Sequence, residues 1–469
     1  MNRSKRLGIL AGALLVACAA TYGVLRYEEH KEQIKNSDAV ILEVPADTVQ
    51  SLSWEYQSES LSFQREDELW RYDGDGAFPV DGEKIAERLE LFQEFGVSFI
   101  IEDVEDYGQY GLDKPVCTIS LATEETSYEI LLGNYSNMDS ERYVSIGDGN
   151  VYLVKTDPLD YFDAVLSDMI DHDETPYFDS VTGIQFSGAE TYGIIYEEDS
   201  DNTYCADDVY FAQKEGKNLP LDTASVNSYL QTISYLNPTD YVTYNATEEE
   251  LKTYGLDQPE LTVTVDYTVE NDGEKSAETF ILNISRDPEE RKAAVEAAAE
   301  DGDSADEEIT AYVRVGESQI IYKISSSNYK KLMAASYDDL RHREVLSADF
   351  GDILQVDISL EGKEYSITSD GKGDDRTYFY QEEELEIGGF QSALESLEAD
   401  SFTDEQPSQK KEIGLTVHLD NENYPEVRIE LYRYDGAHCL AIVDGEPVSL
   451  VARSGVVDLI EAVNAIVLN

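Results

Sequence analysis

Apolar residues recur at one spacing in three places along the chain. After Pro79-Val80-Asp81 they fall at Ile85, Leu89 and Phe92, which lie 4, 8 and 11 positions beyond the aspartate. After Pro220-Leu221-Asp222 they fall at Val226, Leu230 and Ile233, and after Glu386 at Phe390, Leu394 and Leu397, at the same offsets. This spacing puts three side chains on one helix face, and Asp81 and Asp222 stand where an N-cap accepts from the first free backbone N–H groups. The pattern predicts three copies of one amphipathic helix.

Period-two alternation flanks each helix. Tyr110-Gly111-Leu112-Asp113-Lys114-Pro115 leads into Cys117-Thr118-Ile119-Ser120-Leu121, and Tyr254-Gly255-Leu256-Asp257-Gln258-Pro259 leads into Leu261-Thr262-Val263-Thr264-Val265. Each pair reads as a Gly/Pro turn entering a half-buried antiparallel strand. The third copy keeps the strand, Leu415 to Leu419, without the turn. Two further strands and a closing helix follow in every copy, and a strand meander opens each one. The expected fold is therefore α+β: an N-terminal transmembrane helix followed by three repeated modules of antiparallel strands with amphipathic helices. The expected boundaries are a cytoplasmic tip and anchor at 1–26, a linker at 27–45, and modules at 46–175, 176–347 and 348–469. Module two carries an insertion at 287–308, where Ala-rich helix formers run into an acidic cluster. An EF-hand loop needs an oxygen ligand where Ala305 stands, so a solvated loop is expected there.

The N-terminal pattern is different. Leu7 to Leu25 is 19 residues without a charge, about 28 Å as a helix, which matches the hydrocarbon core of a bilayer. Arg3, Lys5 and Arg6 precede it, while Glu28, Glu29 and Glu32 accompany Arg26 and Lys31 behind it. That bias predicts a single-pass protein of the cytoplasmic membrane, anchored through residues 7–25, with its N-terminus inside and residues 27–469 extracytoplasmic. Leu15-Val16-Ala17-Cys18 resembles the bacterial lipobox, which makes Cys18 a candidate lipidation site. Hydrophobicity that continues through Tyr22 and Leu25 favours the uncleaved anchor.

Charge narrows the partners. Lys and Arg number 34 against 98 Asp and Glu, and a net charge of −64 repels a phosphate backbone, so nucleic acid is excluded. A hydrophobic fraction of 41% is enough to build cores. Four cysteines without paired spacing exclude a disulfide scaffold and a multi-cysteine zinc site.

At the two Tyr-Gly-Leu-Asp turns the chain resembles a bacterial family known as domain of unknown function 4340. The N-terminal apolar run, the meander around Trp54 and Trp70, Phe78-Pro79-Val80-Asp81 and the turn from Tyr110 to Pro115 carry the resemblance, which covers most of copies one and two. The family has no assigned catalytic residues to transfer. Its genes often lie beside those of ABC-type transporters, including auxiliary subunits of the kind linked to gliding motility. The resemblance thus implies an extracytoplasmic accessory subunit with a protein partner in a transporter complex.

Catalytic constellations are sparse. His-Glu-x-x-His, the phosphate-binding Gly-x-x-x-x-Gly-Lys loop and Gly-x-Ser-x-Gly are absent. Ser-x-x-Lys occurs at Ser327 to Lys330 and Ser408 to Lys411 without its partner motifs, and a constraint of so few residues is met by chance. The histidines, His30, His172, His342, His418 and His438, are too scattered for a metal signature; Asp171-His172-Asp173 reads as a solvated helix end. Cys117 takes the strand place that Leu261 fills in copy two and reads as a small core residue. Cys205 and Cys439 have no required pairing. The turn residues Tyr110, Gly111, Leu112, Asp113, Pro115, Tyr254, Gly255, Leu256, Asp257 and Pro259 are expected to be structural. No cofactor or metal is called for. The leading expectation is a non-enzymatic binding protein, and the alternative is an envelope module that binds a glycan or cations through its acidic, tyrosine-rich surface.

Overall fold

The computed structural model describes residues 16–22, 39–102, 104–271, 273–298 and 308–468. The chain divides into two compact units, Met1–His172 and Asp173–Asn469. The first unit holds one nine-stranded antiparallel sheet and the second holds two.

All three sheets follow one plan. A meander is joined through its first strand to the first strand of a second meander: Val49–Tyr56 with Cys117–Thr123, Val181–Gly188 with Leu261–Asn271, and Ile353–Leu360 with Lys411–Leu419. Between the meanders the chain forms a helix, then a strand that returns to the far edge of the second meander. The returning strands are Phe95–Ile101, Tyr241–Thr243 and Ala399–Phe402. The second and third sheets extend the first meander with a fourth strand, Lys217–Pro220 and Glu383–Glu384. The first sheet instead adds Ala39–Leu42 outside the returning strand Phe95–Ile101. Repeated sheet modules are thus the organising feature of the molecule.

The helical pattern explains how each sheet covers one face. The helices Gly82–Glu90, Thr223–Ser234 and Gly388–Glu395 supply the apolar residues read from the sequence. All nine, including Phe92 and Leu397 just past their helices, are 4% exposed or less. Asp81 accepts from the N–H groups of Glu83 and Lys84, and Asp222 from those of Ala224 and Ser225, so two of the three helices begin at a side-chain cap. The third begins at Ile387 without one. Burial of a Leu, Ile or Phe side chain stabilises by about 1.5–3 kcal/mol, so the shared stripe is the main reason the helix recurs.

Two expectations are corrected. The fold is predominantly antiparallel β, with few helices, rather than an α+β fold in which helices balance the strands. The closing segment of copy one shows why. Behind Pro158 it forms only the four-residue helix Leu159–Phe162 and a 3-10 turn, Leu166–Met169, because so short an apolar run does not offset the cost of nucleating a helix. Second, no helix among the described residues is long and apolar enough to cross a membrane. Of the apolar run 7–25, the structure describes the helical stretch Val16–Tyr22. The rest of that run, and the basic residues before it, lie outside the described residues. With no such helix among the described residues, the transmembrane anchor and the single-pass placement in the cytoplasmic membrane, with the N-terminus inside and residues 27–469 extracytoplasmic, are not supported. Cys18 lies exposed in the Val16–Tyr22 stretch. The insertion begins as the helix Pro288–Ala298, and its acidic cluster at 301–307 lies outside the described residues.

Candidate functional site

The two predicted turns act as latches. In the first module the 3-10 turn Tyr107–Tyr110 ends at Gly111, with φ +76°, and in the second the helix Glu248–Thr253 runs through Tyr254 to Gly255, with φ +73°. Tyr110 packs on Tyr143 with ring centroids 4.9 Å apart, and Tyr254 on Tyr312 at 4.7 Å. Leu112 and Leu256 are buried beneath them, while Asp113 and Asp257 face solvent. A Cβ on Gly111 would lie 2.5 Å from Asn134 Oδ1, and one on Gly255 would lie 2.6 Å from Ser285 Oγ. Glycine is required there by both φ and space. In the second module Gly255 and Asp257 also border a shallow cleft with Arg286 and Arg291. Glu260 accepts from the Arg286 backbone N–H at 2.7 Å and pairs Arg291 at 3.1 Å, while the Arg286 guanidinium lies 3.9 Å from Glu290. The turn residues gather no chemistry.

A polar cluster forms elsewhere in the second unit. Between the strands Gly193–Tyr196 and Tyr210–Lys214 the chain makes a long loop, residues 197–209. The Thr203 hydroxyl accepts from the Cys205 N–H at 3.0 Å and donates to Asp208 Oδ2 at 2.7 Å, and the Asp208 N–H donates to the Cys205 carbonyl at 3.2 Å. These bonds fix Cys205 and Asp208 on one side of the loop. Thr223, at the start of the helix Thr223–Ser234, ties the loop down by donating to the Asp207 carbonyl and accepting from the Val209 N–H. From the other side comes His342, two residues past the short helix Tyr337–Leu340, in the connector to the third sheet. The Asp222 N–H donates to the Leu340 carbonyl at 3.0 Å and sets that connector in place.

His342 Nε2 lies 2.7 Å from Asp208 Oδ1, and its Nδ1 lies 3.7 Å from Glu344 Oε2. The Asp208 side chain is only 1% exposed. Ligand atoms of Cys205, Asp208 and His342 all lie within 4.8 Å of one another, the cluster of metal-ligand side chains found among the described residues. They border a cleft of about 650 Å³ that Asp207, Asp222 and Glu344 also line. Burial, reinforced by the Asp208 charge, pushes the Cys205 thiol up to about 11. Burial opposes a charged His342 ring, but the hydrogen bond to Asp208 and the charges of Asp208, Asp222 and Glu344 reverse this and hold its pKa above the usual imidazole range. A sulfur, an oxygen and a nitrogen donor thus converge in an acidic cleft.

The sequence profile described as domain of unknown function (DUF4340) matches residues 70–204 and 213–418. The chain belongs to the DUF4340 family. No curated protein matches it, and no solved structure does. Both Tyr-Gly-Leu-Asp turns fall inside the DUF4340 match, as does His342, whereas Cys205 and Asp208 fall in the interval between its two segments. The remaining sequence candidates do not converge. His418 pairs with Asp357 at 2.9 Å and His438 with Asp435 at 3.2 Å, each on its own strand or turn. Asp171 donates its N–H to the Pro79 carbonyl in the first unit, and Asp173 donates its own to the Tyr322 hydroxyl in the second. Cys117 is buried in the first sheet, with burial pushing its thiol up to about 12. All four cysteines are free. Sequence reasoning missed the cluster because His342 stands 134 residues from Asp208. The available signal was the length of the 197–209 loop in a meander whose other strands are joined through residues 189–192 and 215–216.

Proposed function

We propose that this DUF4340 protein is a non-enzymatic binding subunit whose sheet modules dock a protein partner, and that the partner is a transporter assembly of the ABC type. The observation that carries the reading is repetition. One nine-stranded plan is built three times, so the chain presents the same kind of sheet module to a partner more than once. Large exposed side chains are available for such contacts, among them Tyr177 and Tyr235, and tyrosine supplies contact area at low conformational cost. The strongly acidic charge suits a partner face rich in Lys and Arg, which it would attract over about one Debye length. The transporter as partner rests on the gene neighbourhood implied by the family resemblance.

The test is quantitative mass spectrometry of what co-purifies with the full-length, tagged protein in mild detergent. Enrichment of ABC permease and auxiliary subunits is the expected result. Recovery of the protein alone, while those subunits assemble normally in its absence, would overturn the reading.

A further inference from the structure

The 197–209 loop is an addition to the module plan. At the same place the first sheet joins Glu59–Glu66 to Leu69–Tyr72 through Asp67 and Glu68 alone, and the third joins Lys363–Asp370 to Thr377–Tyr380 through residues 371–376. The longer connection in the second sheet delivers Thr203, Cys205 and Asp208 to one spot, and its reach brings them to His342. We propose that Cys205 Sγ, Asp208 Oδ1 and His342 Nε2 bind one divalent transition-metal ion of the zinc type, with a fourth coordination position open to the cleft.

The donor chemistry selects the metal class. Thiolate and imidazole favour zinc and its neighbours in the first transition row over calcium or magnesium, which take oxygen ligands. Three protein ligands with a position open to solvent is a recurrent zinc arrangement. Ligand atoms around a tetrahedral zinc stand roughly 3.5 Å apart, given bonds of about 2.0–2.3 Å. Here the three donors span up to 4.8 Å, and Asp208 Oδ1 and His342 Nε2 are 2.7 Å apart. Binding therefore needs the carboxylate and imidazole to part slightly and the cysteine to close in. Cys205 sits in the loop, where such an adjustment disturbs no sheet pairing.

The surroundings are those of a ligated metal. The Thr203 hydroxyl holds Asp208 Oδ2, which leaves Oδ1 to face the ion. Glu344 lies on the Nδ1 side of His342, where a carboxylate orients the ring and raises its basicity. Asp207, Asp222 and Glu344 add negative potential around the cleft. As the metal enters, the thiol proton leaves to solvent and the ring binds through Nε2 as neutral imidazole with its one N–H on Nδ1, so that any second ring proton also leaves to solvent. Without metal the Cys205 thiol and His342 both bond to Asp208, and the ion would take the place of these contacts. This proposal is independent of the partner reading.

The test uses the full-length protein, freed of metal with a chelator and titrated with Co²⁺ in excess Mg²⁺ and Ca²⁺, which occupy the many surface carboxylates. Thiolate-to-cobalt charge-transfer absorption reports the cysteine ligand, since carboxylates cannot produce it. The expected result is a band that saturates at one ion per chain and is removed by one equivalent of Zn²⁺. It should be lost in Cys205→Ser and retained in Cys18→Ser. The exposed positioning residue Glu344 gives a second variant, and Glu344→Gln should weaken zinc about 10- to 100-fold while keeping the band. Absence of the band at saturating Co²⁺, or its persistence in a folded Cys205→Ser protein, would overturn the proposal. Unchanged zinc affinity in Glu344→Gln would count against the orienting role.

Discussion

The first and second modules share one corner, and only the second adds a polar cluster to it. In both, the aspartate that caps the helix donates its N–H to a carbonyl near the end of the module: Asp81 to Met169 at 2.9 Å, and Asp222 to Leu340 at 3.0 Å. In the first module the corner is apolar. Trp54 stacks on Phe63 and meets Phe162 edge-on, each with centroids 5.4 Å apart, and Met169 and Ile170 are fully buried beside them. The second module keeps an aromatic cluster at the matching strand place, Phe186 with Tyr192 and Tyr229, and adds the long loop beside its capped helix, where a buried carboxylate, a histidine and a thiol meet. A repeated scaffold needs the backbone contact, which both copies keep. It does not need the polar cluster, which only one copy has, and a buried charged group is costly unless it is matched. The contrast therefore separates what the fold requires from what has been added to it.

The sharpest way to break that contrast is to weaken the apolar corner. Phe162→Ala removes a ring that touches both Trp54 and Phe92, and should cost about 3–5 kcal/mol in urea unfolding followed through the sheet. In metal-free protein, His342→Gln at the polar corner should cost about 1 kcal/mol, because Thr203 still serves Asp208 and the amide can donate in place of the ring. Equal costs at the two corners would mean that the polar cluster is as structural as the aromatic one.

The turns supply the matching case of equality. Because Gly111 and Gly255 share their φ and their crowding, Gly111→Ala and Gly255→Ala should each destabilise by about 1–3 kcal/mol. Proteolysis near each turn reads this out module by module. A neutral result at one turn and not the other would show that only one copy uses the latch.

Where the fold was legible in the sequence, a period carried the information. The nine helix positions, from Ile85 to Leu397, are buried because their spacing has one structural solution. The Tyr-Gly-Leu-Asp turns were legible because a left-handed glycine after a ring leaves a local signature. The balance of strand to helix was not, since how far a segment such as Leu159–Phe162 extends as helix depends on tertiary partners rather than on local pattern. Nor did the apolar run 7–25 foretell a membrane helix, since no helix among the described residues is long and apolar enough to cross a membrane. The site was hidden for a different reason. Cys205 and Asp208 carry no motif, and their relation to His342 exists only after the second sheet has formed. An addition to a repeat has no period, so periodicity cannot announce it.

The smallest expected effect tests whether polar groups stabilise this molecule when they are not buried. In the third module Lys411 Nζ lies 2.9 Å from Glu430 Oε1, with both side chains more than a third exposed. The lysine hydrogen bond holds the Glu430 carboxyl below its usual range, and the same bond raises Lys411. A depressed carboxyl contributes stability above the unfolded-state pKa, about 4.3, and that contribution is lost as pH falls through the lower folded value. The raised lysine contributes below about 10.4 and loses its share as pH rises through the folded value, so the pair is flat across neutral pH. Solvent screening limits it to about 0.2–1 kcal/mol. The stability of wild type minus that of Lys411→Met should therefore be small at pH 7, shrink toward zero at pH 3, and fall in 1 M salt. Glu430→Gln removes the same pair while lowering the net negative charge, so it separates pairing from the general field of 98 acids. If the Lys411→Met difference is the same at both pH values, the exposed pair contributes nothing. The difference between exposed and buried polar contacts in this protein would then be wider than the two corners alone imply.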